Sequence, residues 1–444
     1  MWLGLCGLPV LMDFDAIVIG AGVAGLAAAR ELSGAGKRVC VIEARERIGG
    51  RIFTVREAGI ALPVELGAEF IHGEAEETFA IVQAAALLAY ELPDDHWWSR
   101  RGRWTRMNDF WGDMAKVRAR IGDGPDRSFA DFLKGQRSLA PRLKELAMNF
   151  VEGYHAAHAD RISARALQLS DGEQEEGTPK QFRIGSGYDG LVAWLRAGLH
   201  PERSTLLLGT SVMDVVWREG HAAIRTSRGE ELTAKTAIVT IPIGVWKAPA
   251  GQPGAIRFDP ELRTKQRALS RLEIGHVVKI IFTFRERFWD DDDFLASRTR
   301  GRRVNFVHAN DAGVPTWWTT APVVAPVLTA WAGGHAADRL QAENPQSRID
   351  RALESLAATF AMKRSRIDDL LDATHTHDWQ ADPFSRGAYS YAGVGGTRAH
   401  KELARPLAST LFFAGEATSA DETGTVAGAI ASGKRAAHEC LRSF

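Results

Sequence analysis

The feature that most constrains the fold of this chain is a glycine-rich turn between an apolar strand and a helix of small residues. Residues 15–20, DAIVIG, have the pattern of a short buried strand, and small and apolar residues repeat at helical spacing from Val23 to Leu32. The turn between them reads G-A-G-V-A-G. Gly20 permits the tight turn, Gly22 lets backbone amides approach a diphosphate, and Gly25 lets the helix pack closely on the strand.

A second strand and an acidic residue complete a nucleotide-binding pattern. The free amide groups at the start of the helix, at Val23 and Ala24, would face the phosphate charge. The strand RVCVIE ends at Glu43, 18 residues beyond Gly25, close to the roughly 20 expected of the acid that binds the ribose hydroxyls. Together these features predict a Rossmann-like domain, but they do not separate NAD from FAD.

Chain length and charge limit the number of domains and the kinds of partner. Because 444 residues exceed the roughly 250 to 300 residues of one hydrophobic core, we expect two domains with a cleft between them. The 55 basic and 55 acidic residues cancel, which favours small molecules over nucleic acid or an anionic membrane as partners. No stretch reaches the roughly 18 apolar residues of a membrane span. For the oligomeric state, the sequence is compatible with a monomer and with a homodimer.

The cysteines and the first residues bear on the cellular compartment. Cys6, Cys40 and Cys440 have neither metal-ligand nor disulfide spacing, which predicts no metal and a reducing compartment, the cytoplasm. The opening MWLGLCGLPVLM is apolar, but it lacks a basic flank and runs through Asp13 and Asp15 into the first strand. We therefore expect neither a cleaved signal nor a membrane anchor.

A second glycine motif indicates which dinucleotide is bound. In A-R-E-R-I-G-G-R-I, Gly49 and Gly50 free the backbone, and Arg51 can reach a diphosphate as a cation or belong to a basic surface turn. EARERIGGR followed by VELGAEFIHG resembles the flavin amine oxidases: monoamine oxidases, polyamine oxidases and lysine-specific histone demethylases. The resemblance implies FAD. It also implies further cofactor contacts at Ala44, Arg45, Leu66, Gly67, Ala68 and Glu69.

The resemblance continues to the end of the chain. IGSGYDGLVAWL, TSVMDVVW and AIVTIPIGVWK follow in the family's order, and Val212 in the second segment would offer backbone contacts to the adenine or be a plain strand valine. In LFFAGEATSADETGTVAGAIASGKRAA, Gly415 permits a turn, and Glu416 would accept hydrogen bonds from the ribityl chain or be a solvated loop acid. The free amides of a helix that starts at Thr425 and Val426 would face the electron-rich edge of the isoalloxazine ring.

Because both ends of the chain contribute to one predicted site, we predict an α/β fold with a discontinuous nucleotide-binding domain. The second domain would be α+β and bind the substrate, with a mostly helical first part and alternating strands such as HVVKIIFTF in the other. Acidic runs at 173–176 and 290–293 are interpreted as solvated loops. The predicted limits are 13–77, 180–260 and 395–444 for the Rossmann-like FAD-binding domain, and 78–179 and 261–394 for the substrate-binding domain.

One lysine interrupts an apolar strand. LEIGHVVKIIFTF resembles the family segment with a lysine beside the flavin, and the matching position is Lys279. The pattern from Val277 to Phe282 is otherwise apolar on both faces, and a buried ammonium is costly without partners. By resemblance, Lys279 holds a water against the reactive ring nitrogen and serves proton transfer and the reaction with dioxygen. An edge-strand lysine that reaches solvent is the alternative.

Aromatic residues and two departures from the monoamine oxidases define the expected substrate site. HDWQADPFSRGAYSYAGVG resembles the polyamine oxidase and histone demethylase segment, in which Trp379 and Tyr389 would form aromatic walls instead of mere core packing. Ala388 stands where monoamine oxidases carry the flavin on a cysteine, and Thr425 stands where they have a second cage tyrosine facing the first. FAD is therefore expected to be non-covalent. His72 matches a channel histidine of animal polyamine oxidases, with a structural histidine as the alternative.

These resemblances imply an oxidase of amines. A neutral amine would give the hydride equivalent of its α-carbon to FAD and form an imine, which water hydrolyses, while dioxygen becomes hydrogen peroxide. A di- or polyamine is expected, with its far nitrogen recognised by His72 and by acids among Glu69, Glu74, Asp421 and Glu422. The alternatives are an L-amino-acid oxidase, which needs an arginine in the cleft, and a flavin-binding dehydrogenase or electron-transfer protein without oxidase activity.

Overall fold

The computed structural model describes most of the chain, namely residues 13–57, 59–60, 62–170, 180–309 and 312–444. The apolar opening at 1–12, with Cys6, and the acidic run at 173–176 lie outside the described residues. Within the described ranges, no helix has the length and apolar character that crossing a membrane requires.

Short strands and helices alternate through the chain. The strands are β1 Phe14–Ile19, β2 Val39–Ile42, β3 Thr54–Val55, β4 Val64–Glu65, β5 Ile71–His72, β6 Ala89–Glu91, β7 His96–Arg100, β8 Arg103–Met107, β9 Gln181–Ile184, β10 Ser204–Leu207, β11 Val212–Arg218, β12 His221–Thr226, β13 Glu231–Val239, β14 Arg257–Asp259, β15 Leu272–Ile274, β16 Val277–Phe284, β17 Phe306–His308, β18 Thr316–Thr319, β19 Val327–Gly333, β20 Leu371–Thr376, β21 Ser390–Ala392 and β22 Leu411–Phe413. The helices are α1 Val23–Gly34, α2 Glu76–Ala84, α3 Phe110–Arg118, α4 Phe129–Gly135, α5 Pro141–Tyr154, α6 Ala164–Ser170, α7 Asp189–Ala197, α8 Ile243–Trp246, α9 Arg263–Leu269, α10 Asp292–Thr299, α11 Gly334–Gln341, α12 Pro345–Phe360, α13 Arg364–Leu370, α14 Ala399–Ala404 and α15 Val426–Leu441.

The first large sheet carries the glycine turn. Its order is β10-β2-β1-β13-β12-β11-β14, and β22 also pairs with β13. Neighbouring strands in the group β10, β2, β1, β13 and β22 are parallel. Ala16 and Val18 of β1 join the core that holds α1 and α15, whereas Ile17 and Ile19 join the core on the opposite face. Burial on both faces explains the continuous apolar sequence of β1, and confirms the predicted buried strand.

The two ends of the chain meet where α1 packs along α15. A Cβ atom added at Gly433 would lie 2.2 Å from the carbonyl oxygen of Ala24. The helix backbones therefore approach each other more closely than larger side chains would permit, which explains why both helices are rich in glycine and alanine.

The second large sheet carries the lysine. Its order is β20-β16-β19-β18-β17-β7-β8, so β16 lies between two neighbours. Every residue of β16 is buried, and Lys279, opposite Trp331 of β19, is only 3% exposed. The prediction of an apolar strand buried on both faces is confirmed. The edge-strand interpretation of Lys279 is wrong, because β16 is an interior strand.

The structure adds to one local prediction and corrects another. The stretch 78–179 contains the helices α3 to α6 as expected, but it also contributes the β7–β8 hairpin, and β7 extends the second sheet by pairing with β17. Adjacent buried tryptophans, Trp97 and Trp98, hide the strand alternation there. The acidic run at 290–293 is exposed at Asp291 to Asp293 as expected, but it is not a loop, because Asp290 ends a 3-10 turn and α10 begins at Asp292. The Asp291 carboxylate caps α10 by accepting hydrogen bonds from the amides of Asp293 and Phe294.

The two large sheets use different parts of the chain. Strands of the first come from 14–42, 204–259 and 411–413, and strands of the second from 96–107 and 277–376. A small sheet, β5-β9-β6, joins segments that were assigned to different domains. The exact domain limits therefore stay a prediction.

Candidate active site

A single cavity of about 940 Å³ connects the glycine turn of the first sheet with the second sheet. Every residue predicted for the site lines this cavity except Gly25. The volume lies at the upper end of the roughly 300 to 1,000 Å³ typical of small-molecule sites. The fold thus brings together residues that are spread over most of the sequence.

The glycine turn has the geometry that its sequence predicts. Gly20 has a φ of +108°, which strongly favours glycine. A Cβ atom at Gly25 would lie 1.9 Å from the Gly20 carbonyl oxygen, so Gly25 acts through close packing and not through contact with the cavity. At Gly22 no atom lies within 4 Å of such a Cβ position, and the backbone faces open cavity at the start of α1.

Glu43 is fastened beside this turn. Its carboxylate accepts hydrogen bonds from the amide of Ala21 at 2.8 Å and from the amide of Arg45 at 3.0 Å. The Arg45 side chain forms an ion pair with Asp382, with 2.8 Å between Arg45 Nη2 and Asp382 Oδ2. Glu43 is only 4% exposed and borders the cavity, where an acid for a ribose was expected.

Arg51 and Glu416, expected at different parts of a cofactor, contact each other. Arg51 Nη1 lies 3.0 Å from Glu416 Oε1 and also donates to the carbonyl oxygen of Ala388. Glu416 Oε2 accepts a hydrogen bond from the Ser390 hydroxyl at 2.6 Å. Sequence reasoning missed this pair, which ties the second glycine motif to the C-terminal motif. Both side chains still border the cavity.

Lys279 is the centre of a buried charge cluster. Its Nζ lies 2.7 Å from Glu69 Oε2 and donates to the Gly67 carbonyl oxygen at 3.2 Å. Glu69 Oε1 lies 2.8 Å from Arg183 Nε and accepts a hydrogen bond from the Trp318 indole at 3.1 Å. Glu69 therefore serves as the counter-ion of Lys279. Its expected role in reaching the far nitrogen of a substrate stays a prediction.

The pKa values of the two carboxyl groups near Lys279 shift in opposite directions. Burial would raise the pKa of Glu69, but Lys279 and Arg183 outweigh burial and hold that pKa below its ordinary value. Burial raises the pKa of Glu65 to about 7, although hydrogen bonds from Thr54 and the Tyr188 amide oppose the shift. Neither Glu65 nor Arg183 was predicted, because their partners come from other segments of the chain.

The predicted aromatic walls are fixed by hydrogen bonds. Trp379 donates from its indole to the Leu66 carbonyl oxygen at 2.9 Å, and the Tyr389 hydroxyl donates to the Tyr154 carbonyl oxygen at 2.7 Å. Burial raises the pKa of Tyr389, so the phenol stays protonated. Both rings line the cavity and are therefore more than core packing.

Thr425 stands at the start of α15, as the sequence predicts, and lines the cavity. Its hydroxyl caps α15 by accepting a hydrogen bond from the Gly428 amide at 2.9 Å, and it donates to the Glu422 carbonyl oxygen. Gly424, the residue before Thr425, lies close to the Tyr389 ring, since a Cβ atom there would be 3.1 Å from Tyr389 Cδ2. The helix cap decides the direction of the threonine hydroxyl.

The part of the cavity next to the second sheet is aromatic. Seven rings that line it form a closed circuit of contacts, with centroids 4.6 to 6.2 Å apart. We call this set the aromatic girdle; in order of contact its members are Phe70, His72, Tyr154, Trp111, Phe110, His96 and Phe306. Only His72 was predicted, since the members come from separate strands, helices and loops.

His72 is a neutral member of the girdle. Burial, together with His155, lowers its pKa to about 4. Its Nδ1 is buried and has no hydrogen-bond partner among the residues that the structure describes. A neutral imidazole with an unused nitrogen can accept or donate one hydrogen bond to a bound molecule.

The remaining candidate acids, Glu74, Asp421 and Glu422, also line the cavity. Glu74 pairs with Lys180 at 2.8 Å and is mostly exposed. Burial, with Glu77 and Asp421, raises the pKa of Glu422. Among the described lining residues, the arginines are Arg45 and Arg51, each held by a carboxylate.

Comparisons with known proteins agree with this geometry. The family model described as flavin containing amine oxidoreductase matches residues 23–441. Polyamine oxidase 3 of Oryza sativa subsp. japonica is 29% identical over 466 residues, covering 96% of this chain and 89% of that protein. Wild-type putrescine oxidase bound to putrescine has a TM-score of 0.79 and 21% identity, covering 97% of this chain and 99% of that chain. Cyclohexylamine oxidase from Brevibacterium oxydans IH-35A has a TM-score of 0.80 and 21% identity, with the same coverage.

The solved structures share the fold, and the family match extends over nearly all of the described chain. The match begins at Val23, within the glycine turn, and it includes the buried lysine and the C-terminal motif. The protein therefore belongs to the flavin-containing amine oxidoreductases and is a flavin-dependent amine oxidoreductase.

Proposed function

We propose that the protein is an FAD-dependent oxidase that converts a carbon–nitrogen bond of a di- or polyamine, or of a related amine, to an imine. Water hydrolyses the imine to a carbonyl compound, and dioxygen is reduced to hydrogen peroxide. The observation that carries the proposal is the buried ion pair of Lys279 and Glu69. The Lys279 ammonium contacts the cavity segment 66–69 on one side and lies over the ring of Trp318 on the other. Trp318 in turn packs against Phe70 of the aromatic girdle.

The residues at the nucleotide end fit FAD. Gly22 leaves open space at the start of α1, Glu43 stands beside the turn, and Val212 borders the same cavity. The start of α15, capped by Thr425, offers backbone amides to the cavity at Val426. When bound, FAD supplies the two-electron oxidant for the amine.

The chain's own groups favour a neutral amine and hold a water. Most of the substrate end is aromatic, and an unpaired ammonium is costly to bury. Lys279 and Arg183 share the single carboxylate of Glu69, so the excess positive charge disfavours an ammonium group beside them. Lys279 has three N–H donors, of which Glu69 and Gly67 take two. The third would hold a water at the flavin.

The alternative activities lack support from specific residues. An L-amino-acid oxidase needs a guanidinium for the substrate carboxylate, and Arg45 and Arg51 are already engaged by carboxylates. An electron-transfer protein needs no buried lysine at the substrate end. Anaerobic mixing with candidate amines, followed by air, separates an oxidase from a dehydrogenase and from an inert flavin-binding protein, and parallel mixing with L-amino acids identifies an L-amino-acid oxidase. An oxidase is bleached by amine and recovers in air with peroxide formation, and failure of either step contradicts the proposal.

The first test of substrate class compares specificity constants. We expect kcat/KM for putrescine, spermidine, spermine or an acetylated polyamine to exceed the values for benzylamine, tyramine and L-amino acids. Asp421 and Glu422 line the cavity and would recognise the second nitrogen. Glu422→Gln should then raise KM for the polyamines by about tenfold and leave KM for benzylamine unchanged. Glu354→Gln is the control, because Glu354 is exposed, pairs with Arg351 and does not line the cavity.

The aromatic girdle favours a second candidate, an amine with an apolar body. Its rings offer a large apolar surface and no carboxylate of their own. If benzylamine or hexylamine has the highest kcat/KM, the polyamine assignment is wrong while amine oxidation stands.

We expect FAD to be bound without a covalent bond. Ala388 has no thiol, and the described cysteines, Cys40 and Cys440, are buried and do not line the cavity. Acid or heat denaturation should therefore release all of the flavin into the supernatant. Yellow colour that stays with the precipitated polypeptide would contradict this expectation. These free thiols also suit the reducing cytoplasm, which we propose as the compartment.

A further inference from the structure

A cluster of histidines and a carboxylate lies outside the cavity. His158 follows α5, His276 precedes β16, and Asp338 belongs to α11. His158 Nε2 is 2.6 Å from Asp338 Oδ2, and His276 Nδ1 is 2.6 Å from Asp338 Oδ1. These ligand atoms all lie within 4.8 Å of one another, and none of the three residues lines the cavity.

This donor set is typical of divalent transition-metal sites. Two imidazole nitrogens and a carboxylate oxygen bind Zn²⁺ and related ions at about 2.0 to 2.2 Å. Donors around one tetrahedral ion are therefore roughly 3.3 Å apart, so an ion requires the present pairs to separate slightly. The side chain of Asp338 is 42% exposed and that of His276 is 35% exposed, which permits this adjustment and leaves room for water ligands.

The surroundings of the cluster also suit a cation. His158 is fixed by a contact of 3.1 Å between its Nδ1 and the Tyr391 hydroxyl, the kind of outer contact that orients metal-binding histidines. The ring of His335 packs edge-on against His158 at 4.8 Å, and His335 itself pairs with Glu152 and Asp160. The carboxylates thus bring negative charge that a divalent cation would balance.

We propose that His158, His276 and Asp338 bind one divalent transition-metal ion, with water completing its coordination. The ion has a structural role, since it joins three segments that are distant in sequence and does not reach the cavity. One of these segments continues into β16, which carries Lys279. The proposal is independent of which amine the enzyme oxidises.

Zinc binding to the FAD-loaded enzyme tests the proposal. The enzyme is treated with a chelator, dialysed, and titrated with Zn²⁺, with bound metal measured by elemental analysis. We expect one tightly bound Zn²⁺ per chain and a melting temperature raised by a few degrees, because the ion binds only the folded state. Co²⁺ should give ligand-field absorption at wavelengths longer than those of the flavin.

Variants identify the ligands. His276→Gln and Asp338→Asn should each weaken Zn²⁺ binding by about tenfold or more, with unchanged flavin and circular-dichroism spectra. His438→Gln is the control, because His438 is exposed and pairs with Glu31 away from the cluster. If the wild-type enzyme takes up no Zn²⁺, the three residues form only a hydrogen-bonded network and the proposal is overturned. The assignment of the ligands would also be overturned if His276→Gln bound as much Zn²⁺ as the wild type, or if Zn²⁺ binding were lost only in His335→Gln.

Discussion

Lys279→Met is expected to retain FAD while slowing flavin reduction by amine, reoxidation by dioxygen, or both, by about 100-fold. Methionine keeps the apolar stem but removes the three N–H donors. Glu69 would lose its ion pair with Lys279 but keep the ion pair with Arg183 and the hydrogen bond from Trp318. The water that we place at the third donor would lose its position. Stopped-flow measurement of both half-reactions, with amine under anaerobic conditions and then with dioxygen, gives the two rates separately.

A second buried lysine provides the control. Lys265 is 1% exposed and donates to the carbonyl oxygens of Glu402 and Leu403, but it does not line the cavity. Lys265→Met should lower stability, since it leaves buried carbonyl groups without a donor, and the rates per bound flavin should stay at the wild-type values. Unchanged rates for both half-reactions of Lys279→Met would mean that its charge has only a structural role.

Gly25→Ala is expected to destabilise the protein by about 3 kcal/mol or more and to weaken FAD binding strongly. The added Cβ would meet the Gly20 carbonyl oxygen at 1.9 Å and its carbon at 3.0 Å. These are backbone atoms of the glycine turn, so no side-chain rotation can relieve the overlap. The start of α1 must therefore move away from β1, which displaces the amides at Val23. Urea unfolding of the holoenzyme and FAD titration of the refolded chain measure the two effects.

Gly34→Ala is the matched control in the same helix. No atom lies within 4 Å of a Cβ at Gly34, and the residue is helical. Alanine should leave FAD binding unchanged and add about 0.5 to 1 kcal/mol of stability, because it restricts the unfolded chain. If Gly25→Ala behaved like Gly34→Ala, the close approach of α1 and the glycine turn would not be required.

Several features of the protein were accessible from the sequence because they depend on neighbouring residues. The tight turn at Gly20 needs a positive φ that few residues other than glycine adopt readily, and the close contact at Gly25 excludes a side chain. Continuous apolar strands predicted burial on both faces, and this holds for β1 and for β16 around Lys279. These are properties of local conformation and periodicity, which one short segment determines.

The partners of those residues were decided only by the tertiary structure. The sequence does not indicate that Lys279 pairs with Glu69, or that Arg51 turns to Glu416, because each pair joins segments more than 200 residues apart. The hydroxyl of Thr425 caps its own helix. The aromatic girdle is likewise assembled from separate strands, helices and loops. Ion pairs and ring contacts of this kind depend on how the sheets and helices pack, and hydrophobic periodicity specifies which face of an element is buried but not which side chain it meets there.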